Sequence, residues 1–190
     1  MKKIQKEEII KPNSSLLELN LKEIWKYKDL LFLFVRRDFV SVYKQTVLGP
    51  LWFIIQPIFT TLVFTVVFGQ LASIPTDGLP QLLFYMCGIT CWNYFAECVT
   101  KTSNTFVTNS AIFGKVYFPR LILPISIIIT NLLKFGIQFL LFIAVLIYYL
   151  YNSSNIEPNL YILILPLLLF IMAALGLGFG IIISSLTTKY

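Results

Sequence analysis

The uneven placement of charged residues constrains the fold of this chain more than any other sequence feature. Lys and Arg number 15 and Asp and Glu number nine, yet only eight of these charges lie in residues 51–190. Charged residues make up 13% of the 190-residue chain, against about 25% in an ordinary soluble domain. A chain with so few charges cannot cover a globule with solvated side chains. A soluble enzyme and a disordered chain are therefore excluded, and the sequence predicts an all-α membrane protein that crosses the bilayer several times.

Four apolar stretches are long enough to be membrane spans. A bilayer core of about 30 Å requires about 20 apolar residues in a helix, and the stretches that meet this length cover residues 51–71, 82–105, 122–150 and 160–184. The start of the second span is open, because Gly88 could separate a short re-entrant piece from the spanning helix. The sequence thus predicts a transmembrane domain over residues 51–190.

Residues 1–50 form a charged N-terminal segment that is expected to lie at the membrane surface. Ser15 and Glu18 have the spacing of a capping box, which favours a helix start. Leu17, Leu21 and Ile24 then recur on one helical face, with charged residues on the others. This pattern predicts an amphipathic interfacial helix. A helix that packs on a soluble partner is the alternative.

The positions of Lys and Arg predict how the chain is oriented. Positive residues accumulate in cytoplasmic loops, and outside the predicted spans they lie here in residues 1–50, in the 106–121 connection and at Lys189. The connections over residues 72–80 and 151–159 contain neither Lys nor Arg. We therefore expect a multi-pass membrane protein with both ends in the cytoplasm.

Glu97 lies inside the second predicted span and Lys134 lies inside the third. A charge at the bilayer centre costs about 2.5–3.5 kcal/mol on insertion scales, so such residues usually face a bundle interior or water. The two side chains could pair at overlapping depths on antiparallel helices, and they could line a path for a hydrophilic substrate. The alternatives are a purely structural ion pair and independent snorkelling of each side chain to water.

Several aromatic residues lie deep enough in the spans to line a channel: Phe53, Phe59, Trp92, Tyr94 and Phe95. Flat aromatic faces can stack on sugar rings, although packing against neighbouring helices explains the same positions. In the fourth span, Gly176 and Gly180 have the GxxxG spacing that allows two helices to approach closely. Close packing is the favoured interpretation there, and a hinge is the alternative.

The residue inventory excludes several kinds of chemistry. The chain contains no histidine and no GxxxxGK[ST] phosphate-binding loop, which excludes His-dependent triads and an ATP site of that type. Cys87, Cys91 and Cys98 share one helical face without an evident fourth metal ligand, so they are interpreted as packing residues. The sequence predicts no catalytic residue, no bound cofactor, no metal site and no nucleic-acid partner.

Three blocks of the sequence resemble the permeases of polysaccharide-exporting ABC transporters, which export lipopolysaccharide O-antigen, capsular glycans or teichoic acids. The first block comprises Arg36–Phe39 and Tyr43–Trp52, the second is Gly88–Phe95, and the third is Asn109–Arg120. The Tyr-Lys-x-x-x-Leu-Gly-x-x-Trp pattern within the first block is fairly specific. The Lys-x-x-Phe-Pro-Arg pattern of the third is useful mainly beside it.

The resemblance implies a polytopic helical bundle of the ABC exporter permease type, with six spans per subunit. Two permease copies would surround a channel, and two separate ATPase subunits would use ATP and Mg²⁺ below it. The resemblance also implies that the 109–120 connection includes a coupling helix that docks into the ATPase. The side chains suited to that contact are Ile112, Phe113, Lys115, Phe118 and Arg120. An ordinary loop on the membrane surface is the alternative.

The function expected from the resemblance is that of a non-catalytic permease subunit for a lipid-linked polysaccharide, in contact with the glycan and with membrane lipids. An ABC permease for drug or small-molecule efflux would share the architecture and is one alternative. A membrane enzyme that acts on lipid-linked sugars is another. Only four of the six implied spans are present, so the sequence is expected to be a truncated product that lacks the last two.

Overall fold

The protein is described by a computed structural model that covers residues 21–45, 49–113, 117–152, 156 and 160–187. Within these residues every regular element is helical. The chain begins with α1 (Leu21–Lys26) and α2 (Lys28–Gln45), and after a turn of 3₁₀ helix it continues as α3 (Trp52–Phe64), which extends as π-helix over Thr65–Leu71. The later helices are α4 (Gln81–Ser103), α5 (Thr105–Thr108), α6 (Ser110–Phe113), α7 (Ile122–Asn152) and α8 (Leu165–Thr187), the last preceded by the 3₁₀ helix Leu160–Ile164.

The helix α4 lies at the centre of the bundle and packs against α3, α7 and α8. It continues through Gly88 without a break, so the structure does not show the re-entrant alternative. Its buried positions include Thr90, Thr102 and Ser103 as well as apolar residues. A central helix can bury hydroxyl groups that donate to backbone carbonyls one turn away, as Thr90 does to the Met86 carbonyl at 2.7 Å.

Three helical segments of the described residues are long and apolar enough to cross a membrane: Trp52–Leu71, Ile122–Asn152 and Leu160–Thr187. The sequence also predicts a span over residues 82–105. There α4 is long enough to cross a membrane, but it is less apolar than the other three segments. The α4 sequence includes polar residues such as Asn93, Glu97 and Thr102, and α4 packs against three neighbouring helices. The four helical segments begin and end within three residues of the predicted spans.

The seam between α4 and α8 depends on two glycines. A Cβ atom added at Gly176 would lie 2.8 Å from Cys98 Cβ, and one added at Gly180 would lie 2.5 Å from Thr102 Cβ. No atom lies within 4 Å of the corresponding position at Gly178. The two helices therefore touch along the GxxxG row, which confirms the close-packing interpretation of Gly176 and Gly180.

The helix α2 is a feature that the sequence reasoning missed. It is 18 residues long and packs against the start of α7 through Leu31, Phe34 and Val35, which share a buried cluster with Ile122 and Leu123. Of the predicted amphipathic helix, only α1 lies in the described residues, whereas the Ser15 and Glu18 cap lies outside them. Trp25 on α1 is exposed and available to a headgroup layer.

Candidate functional site

Glu97 of α4 and Lys134 of α7 meet inside the bundle. Lys134 Nζ donates to Glu97 Oε2 at 3.3 Å, and Lys101, one turn further along α4, also donates to Glu97 Oε2. The pairing hypothesis for Glu97 and Lys134 is therefore confirmed. The structure adds a second cation, so that one carboxylate accepts hydrogen bonds from two ammonium groups.

The two charged residues lie side by side because the first residues of α7 extend beyond the last residues of α4 along the bundle. Glu97 lies six residues before Ser103, the last residue of α4, and Lys134 lies twelve residues after the first residue of α7. At 1.5 Å per residue these positions are about 9 Å and about 18 Å from their helix ends. The start of α7 projects past α4, where Ile122 and Leu123 are buried among α2 residues. This projection brings the two charges to one level.

An amide and a ring complete the surroundings of the two lysines. Lys101 Nζ donates to Asn131 Oδ1 at 3.3 Å, and Asn131 Nδ2 lies 3.8 Å from Cys98 Sγ. Lys134 Nζ lies 5.5 Å from the centroid of the Phe53 ring, which is within the range of a cation–π contact. The Lys134 side chain is 10% exposed and the Lys101 side chain 42%, so Lys134 is held deep in the bundle and Lys101 lies at its mouth.

A cleft of about 330 Å³ opens beside this cluster, and we call it the polar cleft. Its lining includes Arg37, Asp38 and Ser41 from α2, Thr130, Asn131 and Lys134 from α7, and Lys101 from α4. Hydroxyl and amide side chains from the end of α4 through Asn109 close the remaining wall. Side chains with hydrogen-bonding groups dominate the lining, whereas two larger grooves of about 700 Å³ and about 610 Å³ are lined mainly by apolar side chains.

The electrostatics of the polar cleft are asymmetric. Arg37 Nε donates to Asp38 Oδ1 at 2.7 Å, so this pair is neutral. Lys101 and Lys134 share the single carboxylate of Glu97, so this triad carries a net positive charge. Glu97 lines a separate void of about 10 Å³ together with Lys134 and Asn131. Both ammonium groups therefore line the cleft, whereas the carboxylate that partly neutralises them is not among its lining residues.

The structure separates the aromatic residues predicted to line a channel. Phe53 lies at the polar cluster, and Tyr94 is buried with its ring centroid 5.4 Å from that of Phe135. Trp92 and Phe59 are exposed on the outside of this chain, and Phe95 contacts Trp92 at 6.1 Å between ring centroids. Phe53 and Tyr94 therefore accompany Glu97 and Lys134, whereas Phe59, Trp92 and Phe95 do not. A channel-lining role stays a prediction for all of them.

The residues predicted to contact an ATPase lie on α6 and on the segment that follows it. Arg120 is exposed, whereas Ile112 and Phe113 are partly buried and Phe118 is only 4% exposed. Lys115 lies outside the described residues. Phe118 is buried because it packs against α2, with its ring centroid 5.8 Å from that of Phe34. The ATPase contact stays a prediction, but Phe118 would support such a contact from beneath instead of forming it.

A row of aromatic rings joins this connection to α2, and we call it the aromatic row. Successive ring centroids lie 5.5 Å apart from Phe106 to Phe113, 5.4 Å from Phe113 to Phe118 and 5.8 Å from Phe118 to Phe34. At its end, Arg37 Cζ lies 4.8 Å from the Phe34 centroid. The Arg37 side chain also donates to Asn109 Oδ1 at 3.4 Å. The connection and the α2 wall of the polar cleft therefore share one packed network.

Sequence reasoning missed Lys101, Asn131 and Arg37 as parts of the site. The i,i+4 spacing of Glu97 and Lys101 was a usable signal, because such residues are neighbours on a helix surface. No local pattern could have assigned Asn131 or Arg37, whose partners lie 30 and 72 residues away. The cysteines are free, with Cys98 buried and Cys87 exposed, and the described residues contain no group of three side chains suited to a metal ion.

Comparison with known proteins identifies relatives of this chain. The family model of ABC-2 type transporters matches residues 29–190. The chain is 28% identical over 159 residues to an O-antigen export system permease protein RfbA of Klebsiella pneumoniae, and 26% identical over 158 residues to another protein of the same name from that organism. Each alignment covers 83% of this chain and 59% of the relative.

A third relative comes from a different organism. The O-antigen export system permease protein RfbA of Myxococcus xanthus is 23% identical over 171 residues, which is 90% of this chain and 63% of that protein. This chain therefore spans about six tenths of the length of each of these relatives.

Proposed function

The chain belongs to the ABC-2 type transporter family, and we propose that it serves as the membrane-spanning permease subunit of an exporter of lipid-linked polysaccharide. One observation carries this proposal: a charged polar cleft lies within a bundle whose outer helices are apolar. Such an arrangement offers polar contacts to a hydrophilic cargo and an apolar surface to lipid. The names of the relatives, which are O-antigen export permeases, support a glycan as that cargo.

The proposed assembly contains two copies of the permease and two separate ATPase subunits. The permease carries out no covalent chemistry and binds no cofactor, whereas the ATPases bind ATP and Mg²⁺. They would dock on the connection that contains α5, α6 and Arg120. Cargo would pass between the two permease copies, so that the exposed aromatic residues Phe59 and Trp92 would meet either lipid or the second copy.

The aromatic row suggests how force from the ATPases reaches the cargo. Movement of the connection would displace Phe113 and Phe118, which pack through Phe34 against α2. Because Arg37 of α2 lines the polar cleft, the same movement would reshape the cleft. Packed interfaces usually shift between two discrete arrangements instead of deforming continuously. Coupling would therefore be a population shift between two packed states of α2 and α7.

The proposed location is the bacterial inner membrane, with the connection on the cytoplasmic side. Labelling a single introduced cysteine tests this orientation. Tyr117→Cys suits the test because Tyr117 is exposed, and the three native cysteines would first be replaced. An impermeant thiol reagent should label this position only after the membrane is opened. Rapid labelling from outside intact cells would contradict the orientation and, with it, the ATPase contact.

Loss of the gene that encodes this chain tests the proposed cargo. Cells without it should accumulate lipid-linked glycan in the cytoplasmic leaflet and show less glycan at the surface, and the intact gene should restore export. Unchanged surface glycan together with altered drug tolerance would instead favour small-molecule efflux. Turnover of a lipid-linked sugar by the purified protein without an ATPase would favour a membrane enzyme.

A further inference from the structure

The described side chains that line the polar cleft do not balance its charge. The triad of Lys101, Glu97 and Lys134 has two positive groups and one negative group. Arg37 and Asp38 add a neutral pair, and the other polar groups that line the cleft are hydroxyls and amides. A surplus charge on a membrane span such as α7 is costly, and such charges are usually paired. A bound anion would supply the missing negative charge.

The donors in the cleft also exceed the acceptors that the described residues provide. An ammonium group has three N–H donors and a guanidinium has five. Lys134 is hydrogen-bonded to Glu97, Lys101 to Glu97 and Asn131, and Arg37 to Asp38 and Asn109. Each of the three side chains therefore retains at least one N–H for a further acceptor. A tetrahedral oxyanion can accept from several such donors at once.

The position of Glu97 leaves the cation-bearing wall accessible. Both lysines line the polar cleft, whereas Glu97 lines a separate small void that it shares with Lys134. The ring of Phe53 near Lys134 Nζ limits contact between that ammonium group and water. The Glu97 carboxylate contacts both lysines and the Phe53 ring contacts Lys134, and both lysines still line the cleft. At about 330 Å³ the cleft lies at the lower end of the range of small-molecule sites, which is about 300–1,000 Å³.

From this geometry we propose that the polar cleft binds a phosphate-type anion through Lys134, Lys101 and Arg37. Charge-assisted hydrogen bonds from Lys and Arg are the usual means of holding phosphate oxygens. The natural source would be a lipid headgroup, because one wall of the cleft is formed by α7, a candidate membrane span; that assignment rests on the proposed function, whereas the anion site rests on the geometry alone. Free phosphate or pyrophosphate has the same chemistry and is the second source to be tested.

The first experiment measures anion binding by thermal stability. The full chain would be placed in nanodiscs of phosphatidylcholine, and pyrophosphate would be added against sodium chloride of equal ionic strength. Binding to the folded state should raise the melting temperature by about 2–4 °C at saturation, while sodium chloride should have no such effect. A parallel set of discs that contain phosphatidylglycerol tests the headgroup source. A rise in either arm supports the site and identifies its source.

Matched variants show whether the rise comes from the polar cleft. Arg37→Gln and Arg36→Gln each remove one positive charge from adjacent positions of α2, but only Arg37 lines the cleft. The first should lose most of the rise and the second should keep it. Lys134→Met should also lose the rise in melting temperature, because it removes one ammonium group and leaves Glu97 and Lys101 as a neutral pair.

Glu97→Gln distinguishes an anion site from an ordinary salt-bridge cluster. This variant leaves two ammonium groups without their carboxylate, so pyrophosphate should stabilise it by more than it stabilises the native protein. A structural ion pair alone predicts no such increase. The proposal is overturned if neither anion source raises the melting temperature, or if Lys134→Met and Arg37→Gln respond like Arg36→Gln. These measurements involve no ATPase, so neither result would test glycan export. If the gene-deletion experiment instead failed to show export of glycan, the binding result would still stand.

Discussion

The two faces of α4 differ although they are built from neighbouring residues. Glu97 and Lys101 form one i,i+4 row that faces α7, whereas Cys98 and Thr102 form the next row, which faces α8. The rows are offset by one residue, or about 100° around the helix. The first row meets charges and amides, and the second meets two glycines. One helix thus combines an electrostatic, adaptable contact with a close contact that has no spare volume.

The comparison teaches that the two contacts should fail differently. On the α8 side the helices touch at backbone distance, so an added methyl group has no space. On the α7 side the contacts are made by long polar side chains, which can form hydrogen bonds with other polar groups when one partner is lost. Steric changes should therefore matter more on the glycine face, and charge changes should matter on the lysine face. The following predictions test this contrast.

The largest effect is expected at the aromatic row, which packs in one buried cluster with the start of α7. Phe118→Ala removes a ring that is 4% exposed and packs against Phe34 and Phe113. Burial losses of this kind cost about 3–5 kcal/mol of unfolding free energy, measurable by thermal or chemical denaturation in detergent. Tyr117→Ala is the control, because Tyr117 is exposed and should change stability by less than about 0.5 kcal/mol. Equal effects of the two variants would contradict the buried position of Phe118.

The next effect tests the glycine face directly. In Gly180→Ala the new methyl group would lie 2.7 Å from Thr102 Cγ2 and 3.3 Å from the Ser103 backbone nitrogen. Relieving this overlap requires the two helices to separate, at a cost of about 1–3 kcal/mol. Gly178→Ala adds the same methyl group where no atom lies within 4 Å. Melting temperatures of the two variants should differ clearly, and similar values would show that α4 and α8 do not touch at Gly180.

A smaller effect is expected on the lysine face. Glu97→Gln keeps the shape of the side chain but leaves Lys134, which is 10% exposed, beside a second ammonium group. Because Glu97 is 40% exposed, the cost should be about 1–2 kcal/mol, less than the 3–5 kcal/mol seen when a fully buried pair is broken. A double variant that exchanges the charges, Glu97→Lys with Lys134→Glu, should be more stable than either of these two single variants. If the exchanged protein is no more stable than either single variant, the two residues are not directly coupled.

The smallest effect is expected at the mouth of the polar cleft. Lys101→Met removes an ammonium group whose side chain is 42% exposed, and it leaves Glu97 paired with Lys134. Exposed ion pairs contribute about 0–1 kcal/mol, so stability should fall by less than 1 kcal/mol and by less than in Glu97→Gln. A larger loss than in Glu97→Gln would assign the main stabilising charge to Lys101 and reverse the interpretation of the triad.

The sequence alone offered the pairing of Glu97 and Lys134 as one of several hypotheses, and it favoured the close glycine contact. A charge in an apolar span requires a partner, and Glu97 and Lys134 were the two charges deep in their spans. Two glycines four residues apart lie on one helical face, which marks a close contact. The same reasoning could not assign Asn131 to Lys101 or Phe118 to Phe34, because these contacts depend on how far α7 extends past α4.

What the sequence determined by itself is therefore the class of protein and the positions of the helices in its four apolar stretches. Composition excludes a solvated globule, and the lengths of the apolar stretches limit where each helix can begin and end. Tertiary structure alone decided that α4 lies at the centre, that α2 packs on α7, and that two lysines share one carboxylate beside a cleft. The reason is physical: helix formation depends on neighbours within one or two turns, whereas the cleft depends on the relative depth and rotation of packed helices, which no local pattern encodes.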